Sequence, residues 1–237
     1  KSEIIMRPEK ECSGGFLMDI ENAKRDLGYT PLFSCKDLFE DYKKDANLKI
    51  LQKYNDNKIN ILFVGRIAPN KSQEDVIKSF YFYNKYINKN SRLILVGNDS
   101  GFEKYSKLLK NLVKDLYLEE DVIFSGHIKF DELLAYYRIS DLFLCMSEHE
   151  GFCVPLVESM YFNIPILAYN SSAIKETLGG SGILVNKKNY LMIAELINQI
   201  IENKELKEQI IQKQKKQLNN YKLVNVEKKF LEIIENK

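Results

Sequence analysis

Between residues 59 and 185, short apolar runs recur along the chain, each closed by a glycine or a polar loop. Ile59-Asn60-Ile61-Leu62-Phe63-Val64 is closed by Gly65, residues 92–96 are closed by Gly97, and Val122-Ile123-Phe124 leads to Gly126. Residues 142–146, 164–168 and 182–185 continue the series. The runs are too short for typical helices and rich in β-branched and aromatic residues, which predicts strands buried on both faces, as a parallel sheet requires. Between them Val76, Ile77, Phe80, Tyr83 and Ile87 fall at helical spacing, as do Leu108, Leu109, Leu112, Val113 and Leu116. Leu133, Leu134 and Tyr137 fit a shorter helix with Asp131 as its cap. Strand alternating with helix predicts right-handed crossovers and an α/β, doubly wound parallel sheet of about six strands. Past Val185 the pattern is helical throughout: amphipathic over 189–203, charged over 204–221, and striped with Phe230, Leu231, Ile233 and Ile234 over 226–234. Residues 1–56 lack this rhythm and read as a linker or the remnant of another domain, residues 57–203 as the sheet domain, and residues 204–237 as C-terminal helices.

Composition narrows the function classes. The 237 residues suffice for one full domain with a sizeable core, and 45% hydrophobic with 29% charged residues is ordinary for a soluble globular protein. A formal net charge of +2 supplies no basic field, which argues against nucleic acid as a partner. No apolar run approaches the roughly 18 residues of a membrane span, and no secretory signal is visible, so a cytoplasmic location is expected. The first residue is Lys1, and the expectation is a chain that starts inside a longer one. Cys12, Cys35, Cys145 and Cys153 form no Cys-x-x-Cys pair and read as free thiols; His127 and His149 have no metal-ligand spacing.

In a doubly wound sheet, ligands bind beyond the carboxyl ends of the strands. Two loops there carry candidate chemistry. The first is Gly65-Arg66-Ile67-Ala68-Pro69-Asn70-Lys71, followed by a helix start marked by Ser72, Glu74 and Asp75. Gly65 allows a sharp turn. Arg66 and Lys71 suit a diphosphate, Arg bidentately and Lys as a point charge; as residues alone they are equally a pair of solvated surface cations. The second is Ser147-Glu148-His149-Glu150-Gly151-Phe152-Cys153-Val154-Pro155-Leu156-Val157-Glu158. Gly151 frees the backbone for a close approach, and Pro155 fits a first helical turn whose N–H groups and dipole favour phosphate. Glu158 matches a vicinal diol and Glu150 a sugar hydroxyl, although both also serve as helix-start carboxylates. No Gly-x-Gly-x-x-Gly follows the first strand, which disfavours a dehydrogenase-type dinucleotide domain, and no Gly-Lys-Ser/Thr phosphate loop is present.

Val64-Gly65-Arg66 with Pro69 and Lys71, Leu95-Val96-Gly97, Ile123-Phe124-Ser125-Gly126, and Glu150-Gly151-Phe152 through Glu158 together resemble the retaining glycosyltransferases of the GT-B fold, glycosyl transferases group 1. The resemblance covers about residues 57–200. It implies a Rossmann-like half-domain that binds a nucleoside-diphosphate sugar, such as GDP-mannose or UDP-glucose, and passes a hexose with retention to an acceptor hydroxyl, as in polysaccharide biosynthesis. It implies that Arg66 and Lys71 hold the diphosphate, that Glu150 contacts the donor sugar, and that Glu158 binds the ribose. Glu150, Arg66 and Lys71 would be the catalytic residues, Gly65 and Gly97 would belong to the donor-binding set, the backbone of Gly151, Phe152 and Cys153 would help hold sugar and phosphate, and His127 and Ile128 would lie beside the base. Cys153 replaces the usual small residue, and Tyr161-Phe162-Asn163-Ile164-Pro165 departs from the family's segment after the second Glu. The chain has no Asp-x-Asp pair to carry a metal, and the resemblance implies that fixed cations replace it and that no cofactor is required. A GT-B enzyme has two such halves, so the partner implied is an N-terminal acceptor domain, through which any peripheral membrane association would run. A donor domain inactive alone is the leading expectation. A stand-alone nucleotide-sugar-binding module, or one subunit of a split glycosyltransferase, is the other.

Overall fold

The computed structural model describes residues 42–222 and 225; the linker reading over residues 1–41 and the apolar stripe over 226–234 lie outside them. Six strands form one parallel sheet: β1 (Ile59–Val64), β2 (Ser91–Val96), β3 (Val122–Gly126), β4 (Leu142–Cys145), β5 (Ile166–Tyr169) and β6 (Ile183–Val185). Their order across the sheet is β3-β2-β1-β4-β5-β6, and every pairing is parallel. The order reverses between β1 and β4, the kind of switch point at which doubly wound sheets bind ligands beyond the strand ends. The expected doubly wound α/β sheet is therefore what the chain forms.

The helices are α1 (Leu48–Lys53), α2 (Gln73–Tyr86), α3 (Glu103–Asp115), α4 (Phe130–Arg138), α5 (Val154–Tyr161), α6 (Ile174–Leu178), α7 (Tyr190–Glu202) and α8 (Lys204–Asn219). Alternate residues of each strand serve opposite layers. Ile61, Phe63, Leu93, Leu95, Leu142 and Leu144 join Val76, Phe80, Leu109 and Ile197 of α2, α3 and α7. Leu62, Ile94, Phe143, Ile166 and Ala168 join Tyr137, Leu156, Met160 and Ile174 of α4, α5 and α6. This period of two, with both faces apolar, is why the strands read as continuous hydrophobic runs.

Boundaries differ from expectation at several points. The fifth run begins at Ile164, but β5 starts at Ile166: Pro165 cannot donate to a ladder and instead accepts from Phe143 N at 2.9 Å. Asp131 is not a cap. It lies inside α4, where it accepts from Asn47 Nδ2 at 2.8 Å, and Lys129 is the N-cap residue, its N–H donating to Glu132 Oε2 at 2.8 Å. Ser72 precedes α2 as expected but caps through geometry alone; its backbone is left-handed (φ 49°) and its hydroxyl makes no cap bond. At the other end, Asn189 and Asn203 cap α7 and α8 conventionally, accepting from Met192 N at 3.1 Å and Leu206 N at 3.0 Å. Residues 44–54 rest on α4: Asn47 N donates to Asp131 O at 3.0 Å, and Arg138 donates to Lys44 O at 2.6 Å. No helix among the described residues is long and apolar enough to cross a membrane.

Candidate functional site

The carboxyl edge of the sheet is shaped first by two glycines in contact. Gly65 N donates to Val96 O at 2.9 Å. A Cβ on Gly97 would stand 2.0 Å from Gly65 O, and φ at Gly97 is 152°, so no larger residue fits without moving the β1 loop. The loop then continues outward. Gln73 Nε2 donates to Arg66 O at 2.9 Å, which fixes the Arg66 backbone. The Arg66 side chain is exposed, with its guanidinium 5.0 Å above the centroid of Phe102 from the β2–α3 loop. Pro69–Lys71 forms a single 3-10 turn and presents Lys71 to the second loop.

There the two sequence constellations meet. Lys71 Nζ lies 2.6 Å from Glu150 Oε2, with side-chain exposures of 20% and 8%. The loops are also joined through the main chain: Glu148 N donates to Asn70 O at 2.9 Å, and Asn70 Nδ2 donates to His149 O at 3.3 Å. Two serines after β5 hold the far side. Ser171 donates to Ser147 O, and Ser172 Oγ accepts from Glu150 N at 3.3 Å and lies 3.4 Å from His149 Nδ1. Sequence reading gave no weight to Ser171 or Ser172, which stand more than 20 residues from Glu150 and belong to no motif.

A second brace was also unforeseen. Lys188, from the β6–α7 loop, pairs with Asp75 at 2.7 Å and with Glu148, and Tyr190 Oη donates to Asp75 Oδ1 at 2.8 Å. Burial alone would lower the Lys188 pKa, but its hydrogen bonds to Asp75 and Glu148 more than offset this and hold it above its ordinary value. Burial, then the bond to Asp75, pushes Tyr190 up to about 12.

Cys153 takes a left-handed backbone (φ 64°) at the N-cap of α5, with Pro155 in the first turn. Thr177 Oγ1 donates to Phe152 O at 2.6 Å, tying that corner to α6. Open space lies beside the position a Gly151 Cβ would occupy. Glu158 sits in the second turn of α5, half-buried, and its Oε2 accepts from Tyr137 Oη at 2.6 Å. The Tyr137 ring stacks on Phe162 at 5.1 Å, so α4 orients the Glu158 carboxylate. His127 is exposed beyond β3, and Ile128 packs against the layer of Leu62, Ile94 and Phe143; no hydrogen bond or ion pair joins either to the Lys71–Glu150 pair. Cys145 and Cys153 are free and buried. Cys153 beside it holds the Cys145 thiol below its ordinary value, and Cys153 is itself pushed well above.

The chain has counterparts among known proteins. An uncharacterized glycosyltransferase of Methanocaldococcus jannaschii is 30% identical over 162 residues, covering 67% of this chain and 40% of that protein. Protein CapJ of Staphylococcus aureus is 29% identical over 204 residues, covering 79% of this chain and 48% of its own length. The chain thus spans less than half the length of these two relatives. Among solved structures, Anabaena HepE in complex with UDP and glucose superposes with a TM-score of 0.70 at 22% identity, over 84% of this chain and 55% of that one. The C-terminal domain of LpcC, a glycosyl transferase group 1 family protein of Francisella tularensis, superposes with a TM-score of 0.63 at 24% identity, over 77% of this chain and 96% of that one. The family described as glycosyl transferases group 1 matches residues 44–217, from the segment before α1 through nearly all of α8. A sheet of this order, two charged loops meeting at its switch point and a family match over most of the sequence lead to one assignment: the chain belongs to the glycosyl transferases group 1 family.

Proposed function

We propose that this chain is the donor-binding domain of a retaining hexosyltransferase that uses a nucleoside-diphosphate sugar. The observation that carries the reading is the Lys71–Glu150 contact. It brings together, from two loops at the switch of the sheet, the cation we assign to the diphosphate and the carboxylate we assign to the sugar. Arg66 and Lys71 hold the diphosphate, and one of the three Lys71 donors is engaged by Glu150. The N–H groups of Gly151, Phe152 and Cys153, with the start of α5 behind them, face the same anion. Glu158, held by Tyr137, binds the ribose diol. His127 and Ile128 lie beside the base. HepE, of the same fold, binds UDP and glucose, which supports this class of donor.

Sugar transfer breaks the bond between the anomeric carbon and the diphosphate oxygen. Negative charge grows on the departing diphosphate, where fixed cations and N–H dipoles stabilise it without reorganising. Loss of one such donor costs on the order of 10² to 10³ in rate. Glu150 reads the sugar and is not a nucleophile, and the acceptor is held by a second domain outside this chain.

Calorimetric titration with UDP, GDP and their glucose, mannose and N-acetylglucosamine conjugates tests the reading. One nucleotide class is expected to bind. Each charged contact contributes about 1.5–3 kcal/mol, so Arg66→Ala, an exposed change, weakens binding by roughly 10- to 150-fold. Binding indifferent to Arg66→Ala and to Lys71→Ala would refute the diphosphate roles.

A further inference from the structure

β4 ends at Cys145, and the loop carrying Glu150 returns to it at Cys153, where the left-handed backbone turns the chain into α5. Cys145 is 1% exposed and Cys153 8%. The two sulfurs and a Glu150 carboxylate oxygen all lie within 4.8 Å of one another. Buried thiols by themselves behave as small apolar side chains; here a carboxylate stands within ligand reach of both. Sulfurs bound at about 2.3 Å to one tetrahedral ion stand roughly 3.8 Å apart, inside the 4.8 Å span that encloses all three donor atoms. Two thiolates select a soft or borderline divalent cation over magnesium or calcium, which take oxygen ligands.

We propose that Cys145, Cys153 and Glu150 form a three-ligand site for a thiophilic divalent cation of the zinc class, its fourth position open to an exogenous ligand. The binding itself is independent of the donor-site reading. Its consequence rests on that reading: the carboxylate that takes the metal is the one Lys71 holds at 2.6 Å. Occupancy therefore sets a second cation against the same carboxylate, in competition with Lys71, and couples the cation to donor binding.

The test is an anaerobic titration of the reduced, metal-free chain with Co²⁺, read by absorbance. A sulfur-to-cobalt charge-transfer band is expected to saturate at one equivalent and to be displaced by Zn²⁺. It is expected to persist in a Cys12→Ser/Cys35→Ser variant. In Cys145→Ser and Cys153→Ser, each checked for folding by circular dichroism, affinity is expected to fall by more than the roughly 10–100-fold that loss of a supporting outer partner costs. Should Cys145→Ser unfold, Cys153→Ser and Glu150→Gln carry the test. Absence of the band, or a band that vanishes with Cys12 and Cys35, overturns the site. Nucleotide affinity measured with and without one equivalent of Zn²⁺ separates the two ideas. A metal band without any nucleotide binding leaves the cation site standing and removes the donor reading, whereas nucleotide affinity unchanged by Zn²⁺ removes the coupling.

Discussion

Replacing Lys71 by Met leaves the Glu150 carboxylate, 8% exposed, without the ammonium 2.6 Å away. Removing one partner of a fully buried pair costs about 3–5 kcal/mol, whereas an exposed pair contributes about 0–1 kcal/mol. Lys71 retains 20% exposure, so the pair lies between these limits; a loss of about 2 kcal/mol is expected. For a domain of this size that is roughly 4–8 °C in melting temperature. Urea unfolding followed by circular dichroism gives the value from the midpoint shift at constant slope. Lys107→Met, at an exposed position, is the control and should stay within about 0.5 kcal/mol of the parent. Lys71→Met/Glu150→Gln removes both charges and should recover most of the loss, giving a coupling of about 1–2 kcal/mol. If Lys71→Met is as stable as the parent, or if the double variant equals the sum of the single ones, the pair is a solvated contact and the reasoning fails.

Two further outcomes follow from the same structure. Gly97→Ala places a methyl 2.0 Å from Gly65 O at a φ of 152° and should cost at least about 2 kcal/mol, seen as a lower melting temperature; an unchanged melt would contradict the close approach. Alkaline pH should weaken the fold. Burial pushes Tyr83 up to about 12, and Tyr190 rises to about 12 through burial and Asp75. A tyrosine raised in the folded state stays protonated there while the unfolded chain ionises near 10. Stability is thus fully present below about pH 10 and lost as pH rises toward about 12. Urea midpoints that stay flat across that window, while tyrosinate absorbance rises as for free tyrosine, would sink this account.

The sheet was legible because its strands are apolar on both faces, so Leu62 and Phe63 both announce burial although they serve opposite layers. The pairing of Lys71 with Glu150 was legible only as two separate loops; that they touch depends on the order reversal between β1 and β4, which no local pattern encodes. The clamps were invisible for the same reason. Ser172 stands 22 residues from Glu150, and Lys188 stands 113 residues from Asp75. A serine in a loop carries no signal of what it will face. Tyr137 was legible as a core residue of α4, but its hydroxyl bond to Glu158 was not, because an apolar stripe conceals a polar tip. Local rules also misplaced the α4 cap: Asp131 has the right side chain, but Asn47 engages it from α1, and Glu132 closes the helix start instead.

The corner at Phe152 is latched from a distance. Thr177 holds Phe152 O through its hydroxyl, while its own carbonyl accepts from Tyr221 Oη at 2.6 Å and from Gln217 at 3.2 Å, and the Tyr221 ring meets Phe152 edge-on at 5.4 Å. Gln214, fully buried in the middle of α8, donates to Ile164 O at 2.8 Å, at the entry to β5. The long polar helix α8 is therefore a backstop for the loop that carries Glu150. A chain trimmed before Tyr221 would keep every residue of the family's signature yet lose the wall that loop leans on. For this architecture, a unit that keeps the Phe152 corner intact includes α8 and Tyr221, well past the last strand of the sheet.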